Sequence, residues 1–204
     1  MPAHKVGQLL DAAAIRRVSE IVGENIDQIM EGAKVLGFPL VMKVVGPVHK
    51  TDCGGVALNV PDIETLKAEF DRMMLIKDAK GVMIQPMING IEMFIGSKQE
   101  GEFGNMIMCG LGGIFVEVLK DVQSSLTPVN SAQAMEMLSK LKGYKILKGA
   151  RGKEGINIEL FAQTIQKVAQ LCDAAGCISE MDINPLICDK ENSTVVDARI
   201  KIKK

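Results

Sequence analysis

The 204-residue chain has no tryptophan, a single tyrosine and an aromatic content of 3%. Single-stranded nucleic-acid binders stack bases on aromatic side chains, and this chain has almost none to offer. An excess of one charge is missing as well: 24 basic against 25 acidic residues leave a formal net charge of -1. That balance provides no broad field for a nucleic-acid backbone or an anionic membrane surface. No apolar run reaches transmembrane length, and Met1 to Asp11 has no signal-peptide core, so the expectation is a cytoplasmic protein with no membrane role. The five cysteines include no close pair of the kind zinc sites use, since Cys172 and Cys177 stand five positions apart. Reduced thiols of a cytoplasmic protein account for them. Two nucleotide signatures are also absent. There is no Gly-x-x-x-x-Gly-Lys-Ser/Thr phosphate loop, and Gly110-Leu-Gly-Gly-Ile-Phe115 lacks the final glycine of the dinucleotide fingerprint.

What is present is an ordinary globular composition, 47% hydrophobic and 24% charged, with 13 methionines suited to filling core gaps. Val6 to Ile15 reads as a helix and Val18 to Val22 as a strand. Asn25 caps a helix that runs to Leu36, with Gly37 as its stop. Leu40 to Val45 reads as a buried strand, followed by a polar loop and a returning strand, Val56 to Val60. Asp62 caps a helix to about Asp78, and strands follow at Val82 to Ile88, Ile91 to Ser97, Asn105 to Cys109 and the apolar run Ile114 to Leu119. Ser131 opens a helix to about Leu141, and Lys145 to Gly155 reads as a loop. Asn157 caps a helix to Ala175, with Ile156 and Phe161 as a hydrophobic staple. Ile178 to Ile183 and Thr194 to Ala198 are the last strands. Neighbouring strands joined by short turns, with a few helices between, favour α+β layers over a doubly wound sheet.

Three features carry chemistry. Lys43 sits within an apolar strand, where an ammonium either finds an anion or snorkels to water. The loop from Gly46 to Gly55 gathers His49, Lys50, Thr51, Asp52 and paired glycines. Gly54 and Gly55 let backbone N–H groups approach a phosphate, and neutral His49 has a lone pair able to attack phosphorus. A solvated surface loop is the bland alternative. The histidine's place between a lysine-bearing strand and a glycine pair favours function. Third, Ser179 to Pro185 and Thr194 to Ala198 bring Asn184 and Asp197 side by side if they pair as a hairpin. An amide oxygen and a carboxylate then suit Mg2+, and Asp182 shares a strand face with Asn184. Turn chemistry before Pro185 explains Asn184 about as well.

The blocks His49-Lys-Thr-Asp-Cys-Gly-Gly-Val56, Gln85-Pro-Met87, Gly90-Ile-Glu92, Gly110-Leu-Gly-Gly-Ile-Phe-Val-Glu-Val-Leu-Lys-Asp121, Asp182-Ile-Asn-Pro-Leu186 and Asp197-Ala-Arg199 run in order along almost the whole chain. Together they resemble the ATP-grasp, or beta, subunit of ADP-forming acetyl-CoA (acyl-CoA) synthetases. The resemblance implies an ATP-grasp fold of two α+β subdomains gripping a nucleotide, expected here as residues 1–85 and 86–204. It also implies reversible conversion of acyl-CoA, ADP and phosphate into acid, CoA and ATP. His49 matches the histidine that carries the phosphoryl group to ADP, and Asp182 the carboxylate that steadies it. Asn184 and Asp197 would hold Mg2+ and Lys43 would contact nucleotide phosphates. Gln85, Pro86 and Met87 would form the hinge at the adenine, Glu92 would lie near the ribose, and Arg151 would reach the phosphates.

No stretch of the 204 residues reads as a CoA-binding domain, so the expectation is a separately encoded CoA-binding alpha subunit and a hetero-oligomer. Two rival readings stand beside this one. A non-catalytic nucleotide-sensing module would be expected to lose His49 or the Asn184 and Asp197 pair. Another ATP-grasp carboxylate ligase would use an acyl phosphate directly and need no transfer histidine.

Overall fold

The computed structural model describes residues 1–47, 53–113, 120–150 and 152–203. His49, Arg151 and the apolar run Ile114 to Leu119 lie outside the described residues. The chain divides into two compact units, one formed by Val18–Ile88 and the other by Met1–Arg17 together with Asn89–Lys204. The seventeen leading residues, with helix α1 at Ala3–Ala12, therefore belong with the C-terminal part rather than with the segment that follows them. Their apolar face explains this, because Val6, Leu10 and Ile15 are buried in the larger unit's core. The Val195 N–H also donates to Arg16 O at 2.9 Å.

In the smaller unit, β1 (Ile21–Gly23) precedes α2 (Ile26–Leu36), whose Asn25 cap accepts from Gln28 N. Gly37, at φ 76, takes the left-handed conformation that ends the helix. β2 (Leu40–Val45) and β3 (Val56–Val60) lead to α3 (Ile63–Met74), capped by Asp62, and to β4 (Gly81–Pro86). The sheet order is β1-β4-β2-β3, antiparallel throughout. Leu40, Met42 and Val44 recur at period two and pack with Ile29, Leu66, Phe70 and Met73 from the helices. Burying each such side chain contributes roughly 1.5–3 kcal/mol. Lys43 falls on the alternate set of positions and is nevertheless only 8% exposed.

The larger unit continues with β5 (Ile91–Gln99), a 3-10 turn at Gly101–Phe103, β6 (Asn105–Leu111) and β7 (Val122–Leu126). Then come α4 (Ser131–Ser139), α5 (Tyr144–Leu147) and a small hairpin, β8 (Gly149–Ala150) with β9 (Lys153–Glu154). The long α6 (Ile158–Ala174), capped by Asn157, leads into β10 (Ile178–Cys188), β11 (Ser193–Val195) and β12 (Ala198–Ile202). The strand order is β11-β10-β5-β6-β7, with β12 also on β10. Met93, Ile95, Ile107, Cys109, Met181 and Ile183 of the sheet pack with Phe161, Ile165, Val168 and Cys172 of α6. Because Met181 and Ile183 point into this core, Asp182 and Asn184 fall on the opposite face of β10.

Several elements differ from their sequence readings. The helix after Asp62 ends at Met74 rather than near Asp78. The cap of α4 is Asn130, in a reciprocal capping box with Gln133, rather than Ser131. The stretch read as a loop from Lys145 to Gly155 contains most of α5 and the β8–β9 hairpin. Strand β10 runs through Pro185, which the register tolerates because pairing with β5 shifts between Ile183 and Leu186. Among the described residues, no helix is long and apolar enough to cross a membrane.

The five cysteines are free. Burial pushes the Cys109 and Cys188 thiols up to about 12 and also raises Cys172, whereas Cys53 and Cys177 are exposed. A thiolate is the reactive form, so raised values and burial both silence the three. Titration of the native protein with an aromatic disulfide at mildly alkaline pH should therefore count two fast thiols, and five after unfolding in denaturant. Fast reaction at Cys109, Cys172 or Cys188 in the native chain would contradict this packing.

Candidate functional site

The C-terminal strands of the larger unit bring the expected metal residues together. The β10–β11 hairpin pairs Leu186 with Val195, and β12 then pairs Ile183 with Ala198. That register sets Asn184 opposite Asp197, and the Asn184 N–H donates to Asp197 O at 3.1 Å. The N–H groups of Val196 and Asp197 in turn donate to Pro185 O at 3.1 and 3.3 Å. Backbone bonds thus hold the Asp197 corner while its side chain takes no part in the hairpin's ladder. The turn beyond is shaped by Asp189, whose Oδ1 accepts from the N–H groups of Glu191 and Asn192, both at 2.7 Å.

Asp182 lies two positions before Asn184, paired across the sheet with Arg199 on one side and Gly96 on the other. Its side chain is exposed, yet the surrounding protein desolvates the carboxyl and holds its pKa above the ordinary carboxylate value. Arg199 opposes that rise and Asp197 adds to it. Glu92, on β5 beside Ile187, accepts a hydrogen bond at its backbone oxygen from Gly112 N at 2.7 Å. Gly113 N donates to Asn184 Oδ1 at 3.3 Å, so the turn after β6 touches both Glu92 and Asn184.

The remaining described residues of the expected site belong to the smaller unit. Lys43 is buried on β2, one position before Val44, whose N–H donates to Gly55 O at 2.8 Å. Gly54 O accepts from Arg72 Nη1 at 2.7 Å, and the same guanidinium pairs with Glu69. Gln85 is 2% exposed on β4, and its Nε2 donates to Glu20 Oε2 at 3.3 Å. Pro86 pairs with Leu40, and the Met87 N–H is committed to Pro39 O at 2.9 Å. If this segment meets a nucleobase through its backbone, the N–H of Met87 is not the group that does so.

Sequence reasoning missed two features. One is Gly113, visible only as part of a glycine run. The other is a cavity of about 510 Å³ within the larger unit, walled by Ile91, Leu111 and Ile146 and edged by Glu92, Lys153 and Glu154. Its apolar walls come from two strands and a helix far apart in sequence, and no local pattern announces it.

Among the described residues, no three His, Cys, Asp or Glu side chains gather as a metal site. A Mg2+ ion does not need three. It is commonly held by one or two protein oxygens and completed by waters and substrate phosphates. Asn184 on β10 and Asp197 at the corner between β11 and β12, joined backbone to backbone, bring an amide and a carboxylate near each other, and the chemistry of that pair fits such a donor set.

A family model described as ATP-grasp domain matches residues 1–202. The ADP-forming acetate–CoA ligase II subunit beta of Pyrococcus furiosus is 37% identical over 216 residues, covering 100% of this chain and 92% of that subunit. The ADP-forming acetate–CoA ligase II of Archaeoglobus fulgidus is 40% identical over 98% of this chain, which spans 30% of that longer protein. Among solved structures, the dinucleotide-forming acetyl-coenzyme A synthetase 1 of Candidatus Korarchaeum cryptofilum was determined with coenzyme A, Ca-AMPCP and HgCl+. It superposes with a TM-score of 0.91 at 29% identity, covering 98% of this chain and 92% of that one. The same synthetase with coenzyme A and Mg-AMPPCP has its phosphohistidine segment pointing towards the nucleotide binding site, and matches at a TM-score of 0.86 and 29% identity over 100% and 92%. The chain belongs to the ATP-grasp family, and its relatives include the beta subunits of ADP-forming acetate–CoA ligases.

Proposed function

We propose that the chain is the nucleotide-binding subunit of an ADP-forming acyl-CoA synthetase, carrying a phosphoryl group on His49 between a CoA-binding partner and ADP. The observation that supports it most is the placing of Asn184 against Asp197, with Asp182 two positions away on the same strand. The similar synthetase of Candidatus Korarchaeum cryptofilum holds coenzyme A and Mg-AMPPCP with its phosphohistidine segment pointing towards the nucleotide binding site, and this chain carries His49 in its glycine-bearing segment Gly46 to Gly55, which supports the reading.

In the direction of ATP use, an imidazole nitrogen of His49 attacks the γ-phosphorus. A P–N bond forms, the P–O bond to ADP breaks, and the electron pair leaves with ADP. Phosphoryl transfer asks for alignment and neutralisation of oxygen charge more than for covalent help. Asn184 and Asp197 would hold Mg2+, which neutralises charge on the transferring phosphate. Lys43 adds a fixed positive charge near the phosphates, and Gly54 and Gly55 present backbone without side-chain bulk. Arg151 is assigned to the phosphates as well. Asp182 accepts from the ring nitrogen that does not carry phosphorus and so fixes the tautomer. Glu92 is assigned to the ribose, and Gln85, Pro86 and Met87 are assigned as the hinge segment. The partner is a CoA-binding alpha subunit in a hetero-oligomer, which supplies the acyl site and receives the phosphoryl group. Free thiols and the ATP and CoA substrates support a cytoplasmic setting.

Incubation of the purified chain with Mg2+ and ATP should add one phosphoryl group that is acid-labile and alkali-stable, read by intact mass. A chain that neither gains that group nor binds ADP in calorimetry with Mg2+ would sink the proposal. Binding without phosphorylation, even after the partner is added, would favour the sensing-module reading.

A further inference from the structure

Asn184 can serve a cation only through its oxygen, and an amide side chain presents oxygen and nitrogen on nearly identical ends. Something must decide which end faces which way. The Gly113 N–H donates to Asn184 Oδ1 at 3.3 Å, and a backbone N–H can only donate, so the nitrogen end is excluded from that side. The same glycine adopts φ 60, in the left-handed region, and a Cβ built there would lie 2.1 Å from Glu92 Oε2. Gly112 N, one residue earlier, bonds to the backbone oxygen of Glu92 at 2.7 Å. A side chain at 113 would therefore strain the turn and displace the Glu92 carboxylate at once.

We propose that Gly113 is a positioning residue that fixes which end of the Asn184 amide is the oxygen, the atom a Mg2+ ion would need, while leaving room for the Glu92 carboxylate beside it. The inference rests on the metal assignment to Asn184 and Asp197 made above, and goes beyond it by naming what sets the orientation of the first ligand. Partners of this kind typically alter metal affinity by about 10–100-fold when removed.

The test follows Mn2+ by electron paramagnetic resonance in the presence of ADP, so it reads binding and not turnover, with urea midpoints confirming that each variant folds. Gly113→Ala should weaken Mn2+ retention about tenfold or more. Asn184→Asp places an oxygen at both ends of the side chain, so orientation no longer matters. The double variant Gly113→Ala/Asn184→Asp should then bind Mn2+ within about threefold of Asn184→Asp alone, the defect having been one of orientation. Gly113→Ala binding Mn2+ as the native chain does, or an undiminished defect in the double variant, overturns the proposal. Asn184→Ala separates the two levels. If it binds Mn2+ like the native chain, the metal assignment itself falls. If it is impaired while Gly113→Ala is not, only the role of Gly113 falls.

Discussion

Replacing His49 with alanine is expected to lower turnover of the complex with its CoA-binding partner by on the order of 10⁴–10⁶-fold, the scale seen when a covalent nucleophile is removed. ADP affinity measured by calorimetry should stay within about threefold of native, because a carrier histidine contributes to the transition state and not to ground-state binding. The asymmetry is the informative part. A ligase that passes an acyl phosphate directly to its acceptor would lose little on this substitution, and a sensing module would show no turnover to lose. The acid-labile phosphoryl group should vanish with the side chain. A variant that still incorporates it, or still turns over within tenfold of native, would remove His49 from the mechanism and force a search for another acceptor.

Much of the framework was legible because local chemistry and tertiary packing agree in the smaller unit. Leu40–Val45 and Val56–Val60 were read with the bounds they have, and Asn25, Asp62 and Asn157 cap the helices assigned to them. What escaped has physical reasons. Strand β7 is largely polar, Val-Gln-Ser-Ser-Leu, and shows no alternation because it lies at the sheet's edge. The small β8–β9 hairpin is two residues a side, too short for any period. Pro185 suggests a break, yet it falls at a register shift where the ladder needs no N–H from it. The grouping of Met1–Arg17 with the later residues depends on a contact spanning well over a hundred positions, Met1 to Ile200 O at 2.9 Å, which no local pattern encodes. Within the site, the apposition of Asn184 and Asp197 could be read from a hairpin with a polar turn. The hydrogen bond from Gly113 could not, because it links residues 71 positions apart.

The same apposition gives the second large effect. Asp197→Ala should reduce the Mg2+-dependent rate of the complex about 10²–10³-fold, since a bound metal supplies several kcal/mol of charge stabilisation and each 1.36 kcal/mol is a factor of ten. Stability should barely change, because Asp197 holds the hairpin through its backbone: its oxygen accepts from Asn184 N and its nitrogen donates to Pro185 O. Loss of its carboxylate also relieves a repulsion on Asp182, which slightly favours the folded chain. Asp189 provides the contrast on the same hairpin. Its carboxylate is bonded to Glu191 N and Asn192 N, so Asp189→Ala should cost about 1–3 kcal/mol in urea unfolding while leaving the Mg2+ dependence as it was. Two aspartates eight positions apart should thus split cleanly, one moving the metal curve and the other the unfolding curve. If Asp197→Ala keeps the native Mg2+ dependence, Asp197 is a corner residue only, and the cation must be held elsewhere.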